Sequence, residues 1–188
     1  VEMMIKAHFS SIPTALSPKP RPAFNVPDQP GTVYATITDP EATATRIDVS
    51  VRMAARRFAT IGDYRRSIVE RLFAALMSAR LDEIANSPNA PFLRAQTDRG
   101  LLVRTAELTS LGALAPPGGV ERALTSLFTE INRAARFGFT QTEVNREKLN
   151  TQLYLERAMA ERDKSASGPL ADEFVRNFIH NEPIPGIV

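Results

Sequence analysis

Hydrophobic and polar positions repeat along this chain with two different periods, and each change of period marks an element. From Thr45 to Ala54 the repeat is two: Ile47, Val49, Val51 and Met53 fall on one side, and Arg46, Asp48, Ser50 and Arg52 on the other. That pattern predicts a strand with one buried and one wet face. A shorter alternation runs from Thr32 to Thr38, with Val33, Ala35 and Ile37 against Thr32, Tyr34 and Thr36. Asp39-Pro40-Glu41 reads as a turn, so the two segments are expected to pair antiparallel. Phe92 to Thr97 and Leu101 to Leu114 read as further strands around a turn at Asp98-Arg99-Gly100, with a bend expected at Gly112.

Elsewhere the period is helical. After Thr60, a capping residue with Asp63 three positions on, Ile68, Leu72, Ala75, Leu76 and Ala79 form a stripe that Val69, Phe73 and Met77 widen. Arg65, Arg66, Glu70, Arg71, Arg80, Asp82 and Glu83 make up the opposite, solvated face. Asn86 to Pro91 ends this helix. Val120 to Phe137 carries Leu124, Leu127, Phe128, Ile131 and Ala135 on its core side, with Arg133 and Arg136 in the last turn, where they suit the helix dipole.

Phe137 to Val144 is a corner between two helices. Gly138 supplies the positive φ that closes the first helix. Thr140 and Glu143 form a capping box for the second, and Phe139 with Val144 completes a hydrophobic staple. The second helix runs to about Lys164 and is weakly amphipathic, with Leu149, Leu153, Leu155, Ala158 and Met159 as its apolar residues. Ser165 to Gly168 breaks it. Pro169 opens a last helix with Leu170, Phe174, Val175 and Phe178 on one stripe, ended by Pro183 and Pro185.

Strands come as adjacent pairs rather than singly between helices. The expected fold class is therefore α+β, two layers deep, with a mainly antiparallel sheet and helices packed on one face. Ahead of it, Glu2 to Ile12 has helical spacing, and Pro13, Pro18, Pro20, Pro22, Pro27 and Pro30 follow. Prolines at that density fit neither a helix interior nor a central strand. The expected organisation is residues 1–12 as the tail of a preceding domain, 13–31 as a Pro-rich linker, and 32–188 as one α+β domain. The chain starts at Val1 and closes on Pro185-Gly186-Ile187-Val188 without a settled element, so it is expected to be a piece of a longer protein.

Composition narrows the chemistry. The 188 residues include no cysteine, which excludes a thiol nucleophile, thiolate-held zinc and disulfides in this segment. Basic and acidic residues number 23 and 21, intermingled, so the sequence pI near 9.2 carries no electrostatic footprint for nucleic acid. No apolar run is long enough for a membrane span. His8 and His180 are the two histidines, and neither has partners at zinc-ligand spacing. Glu143, Glu147, Glu156 and Glu161 share one helix with Arg146, Lys148, Arg157 and Arg162, which points to ion pairs rather than acid–base work. Pro116-Pro117-Gly118-Gly119 lacks the Lys and the spacing of a phosphate loop, and no Gly-x-Ser-x-Gly elbow occurs. No catalytic, cofactor-binding or metal-ligating residue is expected in this segment.

Several pieces nevertheless resemble one family in order. Met4-Ile5-Lys6-Ala7-His8-Phe9 ahead of Pro20-Arg21-Pro22 resembles the end of the first domain of insulinase/pitrilysin-type (inverzincin) zinc metallopeptidases. Gly62-Asp63-Tyr64-Arg65, Arg80-Leu81-Asp82-Glu83-Ile84 and Ala90-Pro91-Phe92 resemble the next domain. So do Gly118-Gly119, the helix with Glu130 and Arg133, Gly138-Phe139-Thr140 with Glu143, and Pro183-Ile184-Pro185-Gly186-Ile187.

The resemblance implies repeated α+β domains that enclose a peptide, with zinc held in the first domain by His-x-x-Glu-His. That motif is absent here, so the implied role is the second, non-catalytic domain, forming chamber wall and inter-domain contacts. Zinc and peptide hydrolysis would belong to the parent's first domain. Implied partners are other domains of the parent and a peptide substrate; a dimer is compatible with it. Family members are periplasmic, cytosolic or organellar, and the reading leans to a periplasmic or secreted bacterial parent. The alternative is a structural domain of an inactive paralogue, such as a processing-peptidase-like core subunit. A free-standing nucleic-acid module is the third class, and the mixed charges argue against it.

Overall fold

The computed structural model describes residues 2–20, 22–164 and 166–184. Arg21, Ser165 in the predicted break and the closing residues 185–188, including Pro185, lie outside the described residues. The elements are α1 (Glu2–Phe9), β1 (Thr45–Ala54), α2 (Ile61–Ala85), β2 (Arg94–Val103), β3 (Ala106–Ala115), α3 (Val120–Phe137), α4 (Gln141–Ala160), a 3-10 turn (Arg162–Lys164) and α5 (Ser167–His180). The fold class is α+β with an antiparallel sheet, as the paired strands predict.

The sheet has three strands in the order β1-β3-β2, and β3 pairs antiparallel on both sides. Its register sets Ile47 opposite Ala113 and Ala113 opposite Ala95. These residues join Leu111, Ala115, Leu81, Phe92, Ala123 and Leu127 in the core, so helices and sheet bury one shared face. Arg46, Asp48 and Gln96 stand exposed on the other face.

Four expectations change. Residues 32–38 form no strand; Val33, Tyr34 and Ile37 are 67%, 88% and 96% exposed. Pairing goes instead to β3, which matches β1 over its whole length and sets Leu111 and Ala113 against Val49 and Ile47. Cross-strand contact, not local alternation, decides which segments pair. Second, Asp98-Arg99-Gly100 lies inside β2, and the chain reverses at Arg104-Thr105. Gly100 keeps a negative φ, and a register shift between Leu101 and Val103 takes up one extra residue as a bulge.

Third, α2 turns its buried side toward Leu76, Met77, Arg80 and Leu81, leaving Val69 and Phe73 exposed. Fourth, α3 buries Ala123, Leu127 and Glu130, while Phe128 and Ile131, expected in the core, are 47% and 37% exposed. α2 is apolar around much of its circumference, so periodicity alone could not choose its inner side; α3 has a single apolar stripe, of which the sheet covers only the Ala123–Leu127 edge.

The proline-rich segment touches the sheet at two points. Thr105 Oγ1 donates to the Phe24 carbonyl at 2.7 Å, and Arg52 Nη2 donates to Asp28 Oδ1 at 2.8 Å. Both anchors sit where β1 ends and the β2–β3 hairpin turns.

Candidate functional site

The most elaborated polar cluster lies where α2 crosses the α3–α4 corner. Gly138 ends α3 with φ 66° and ψ −145°, a combination close to glycine-only space, and its N–H donates to the Ala134 carbonyl. Thr140 then caps α4. Its hydroxyl oxygen accepts from the Glu143 N–H, and its own N–H donates to Glu143 Oε2 at 2.6 Å, completing the expected capping box.

Glu143 serves a second partner. Arg80 Nε donates to Glu143 Oε1 at 2.5 Å, and Arg80 Nη2 to Oε2 at 3.0 Å, a two-pronged pair that is both ionic and geometric. Nη2 also donates to the Gly138 carbonyl at 3.0 Å. The guanidinium carbon lies 4.5 Å from the centre of the Phe139 ring, which meets Phe73 edge-on at 5.7 Å. Thus Phe139, expected to staple the helix start, lends its ring to α2.

The electrostatics follow from these contacts. Hydrogen bonds from Arg80 pull the Glu143 carboxyl down to about 2; partial burial opposes them, and the Thr140 N–H and hydroxyl add to the lowering. The same Glu143 bond raises the Arg80 guanidinium above its ordinary value, against burial. Both groups are therefore permanently charged near neutrality.

The sequence pattern places Arg80 on the solvated face of α2, yet only 7% of its surface is exposed. A usable signal existed: Met77, Arg80 and Leu81 share the i, i+3, i+4 spacing of one buried stripe. Two of the pieces that carry the family resemblance, the one with Arg80 and the one with the Gly138–Glu143 corner, meet here. Glu130 is buried on α3, and Phe92, from a further piece, is 1% exposed in the core.

A second ionic network braces the other end of α2. Arg99 reaches Glu70 at 2.8 Å and Glu107 at 2.6 Å, and Arg56 reaches Glu70 at 3.0 Å. Burial pushes the Glu107 carboxyl up, but the Arg56 N–H and Arg99 outweigh it and hold the group below its usual range. On the exposed sheet face, Asp48 takes both prongs of Arg46 and lies over Gly112, where a Cβ would come within 2.8 Å of Asp48 Oδ1.

None of these clusters pairs a nucleophile with a base. His8 in α1 and His180 in the last turn of α5 are both exposed and on different elements. Among the described residues, no group of three His, Asp or Glu side chains could hold a metal ion. Glu147 is buried against Arg146 and Asn150, and Glu156 accepts from Gln152, so these members of the carboxylate series on α4 do structural work. No helix is long and apolar enough to cross a membrane, among the described residues. What the polar clusters can do is fix the relative positions of α2, α3, α4 and the sheet.

No family model matches the chain. In sequence it is 25% identical over 184 residues to a zinc protease PQQL-like of Arabidopsis thaliana, a match covering 98% of this chain and 16% of that protein. In fold it is similar to the periplasmic protease PqqL from Escherichia coli, with TM-score 0.79, 15% identity, and coverage of 99% of this chain and 21% of that one. It is also similar to a predicted insulinase family protease from Yersinia pestis, with TM-score 0.80, 13% identity, and coverage of 99% and 40%. The chain thus spans about a sixth of the length of its curated relative.

Proposed function

We propose that this chain, which resembles the insulinase/pitrilysin-type zinc metallopeptidases along its whole length, is a non-catalytic domain of such an enzyme. It would form part of the wall around the peptide and the contacts to neighbouring domains. Zinc and the hydrolytic step would belong to another domain of the parent, where a metal-bound water and a carboxylate base attack the peptide.

The observation that carries this reading is exposed apolar surface on successive helices. Phe128 and Ile131 on α3, Leu149 and Leu153 on α4, and Leu170, Phe174 and Phe178 on α5 are all exposed. Stripes of that kind on three successive helices suit a segment whose remaining faces are covered by other domains.

The inactive-paralogue reading shares this surface and differs in chemistry. The 188-residue chain and a longer parent chain can each be assayed for bound zinc and for cleavage of an unfolded peptide. The expected result is zinc and cleavage in the parent only. Stoichiometric zinc or cleavage in the 188-residue chain overturns the reading, and a parent without either favours the paralogue.

A further inference from the structure

Charge is spread unevenly over this chain. Its net charge is only +2, yet Arg56, Arg57, Arg65, Arg66, Arg71 and Arg104 gather at the end of the sheet where β1 leads into α2 and the β2–β3 hairpin turns. The backbone brings these stretches together. The Ala55 N–H donates to the Thr105 carbonyl at 3.0 Å, so the chain leaving β1 lies beside the hairpin turn. Phe58 meets Tyr64 edge-on at 6.2 Å, and Arg56 reaches Glu70 at 3.0 Å, which sets the first turns of α2 alongside.

The carboxylates within this end are already engaged. Asp63 closes the Thr60 cap and lies 3.9 Å from Arg66. Glu70 and Glu107 are held by Arg99, and Glu70 by Arg56 as well. Arg57, Arg65, Arg71 and Arg104 are exposed and make no ion pair or side-chain hydrogen bond among the described residues. Exposed apolar side chains stand in the same stretches: Ile61 at the start of α2, and Leu102 and Val103 just ahead of the hairpin turn.

We propose that this end docks an acidic, partly apolar stretch of the peptide substrate. Arg57, Arg65, Arg71 and Arg104 meet its carboxylates, and Ile61, Leu102 and Val103 meet its apolar side chains. The inference rests on the reading of this domain as part of the wall around a peptide. Charge complementarity sets the sign of the partner, because guanidiniums gathered without carboxylates of their own attract and orient an anionic segment. The apolar side chains set its class. A sugar–phosphate backbone gives them little to pack against, whereas a polypeptide with Asp or Glu between apolar residues matches both features.

The crevice between α2 and β2 offers such a segment a seat. Ser67, Arg71, Arg99 and Gly100 line it. No atom stands within 4 Å of where a Cβ on Gly100 would lie, so an incoming chain can approach the strand closely there. Arg99 is already committed to Glu70 and Glu107 and serves as wall, which leaves Arg71 as the free cation of the crevice.

Fluorescence anisotropy on the 188-residue chain tests the docking without zinc or cleavage, so its failure is distinguishable from failure of the reading it rests on. The probe is a labelled, unstructured peptide of Asp, Ser and Val. It is compared with the same peptide carrying Lys for Asp and with an oligothymidylate of equal charge. The acidic peptide is expected to bind about tenfold more tightly than either, and to weaken as salt is raised. Arg57→Ser together with Arg104→Ser is expected to weaken it about tenfold, as two exposed pairs each worth a few-fold. Arg136→Ser together with Arg157→Ser removes the same charge from α3 and α4 and is expected to change binding by less than about twofold. Equal binding of the two peptides, tighter binding of the oligothymidylate, or an equal loss in the two variants would overturn the proposal. Binding that vanishes in a longer parent chain would overturn it too, because a neighbouring domain rather than substrate would then cover this end.

Discussion

Replacing Arg80 by methionine probes the packing of the three helices most sharply. The substitution keeps the length and apolar stem of the side chain and removes the guanidinium. Lost with it are the paired bonds to Glu143, the bond to the Gly138 carbonyl and the contact over Phe139. Removing one member of a buried pair costs about 3–5 kcal/mol, because the partner charge stays behind. Glu143 keeps the bonds from Thr140, and its side chain is 19% exposed, so the lower end applies, about 3 kcal/mol. With a urea dependence of about 2 kcal/mol per molar, the midpoint of unfolding falls by about 1.5 M. Circular dichroism during urea titration of the chain and its variant reads this directly. Arg71→Met, an exposed change on the same helix, is the control and is expected within about 0.5 kcal/mol of the parent sequence. A midpoint for Arg80→Met as close to the parent's as the control's would refute the role of Arg80 in tying α2 to the α3–α4 corner.

Three further outcomes follow from the same geometry. Because the Glu143 carboxyl is lowered from 4.5 to about 2 in the folded chain, its stabilising effect is complete above pH 4.5 and is lost as pH falls toward 2. The loss amounts to about 3 kcal/mol, and urea titrations of Glu143→Gln across that range should lack this component of the slope. Gly138→Ala places a Cβ on backbone at φ 66° and ψ −145° and should cost about 1–3 kcal/mol, whereas Thr140→Ala, which removes only the cap, should cost about 1 kcal/mol; thermal melts separate the two. Gly112→Ala should destabilise the sheet by about 1 kcal/mol by displacing the Asp48 carboxylate, and Asp48→Ala in the same chain should recover most of that loss.

What the sequence disclosed and what it hid divide along physical lines. Capping is local, so Thr60 with Asp63 and Thr140 with Glu143 could be read from four consecutive residues, and both boxes form. Strand pairing is not local. The alternation of residues 32–38 is real as a pattern, yet β3 offers β1 a longer and better-buried partner, and nothing within residues 32–38 reveals that competition. Arg80 was hidden because a charged residue beside Asp82 and Glu83 looks like surface until its partner, sixty-three residues onward, is in view. The inner face of α2 was ambiguous for a related reason, since it carries apolar residues on more than one side. α3 has one stripe, but the sheet covers only an edge of it, and the apolar surface left open on both helices is what the proposed function assigns to neighbouring domains.

That assignment is tested most directly by amide hydrogen exchange, comparing the 188-residue chain with a longer parent chain that contains it. The account predicts slower exchange in the parent along α3, α4 and α5, whose apolar stripes would then be covered, and little change in β3, already central to the sheet. Equal exchange of those helices in the two proteins would contradict it.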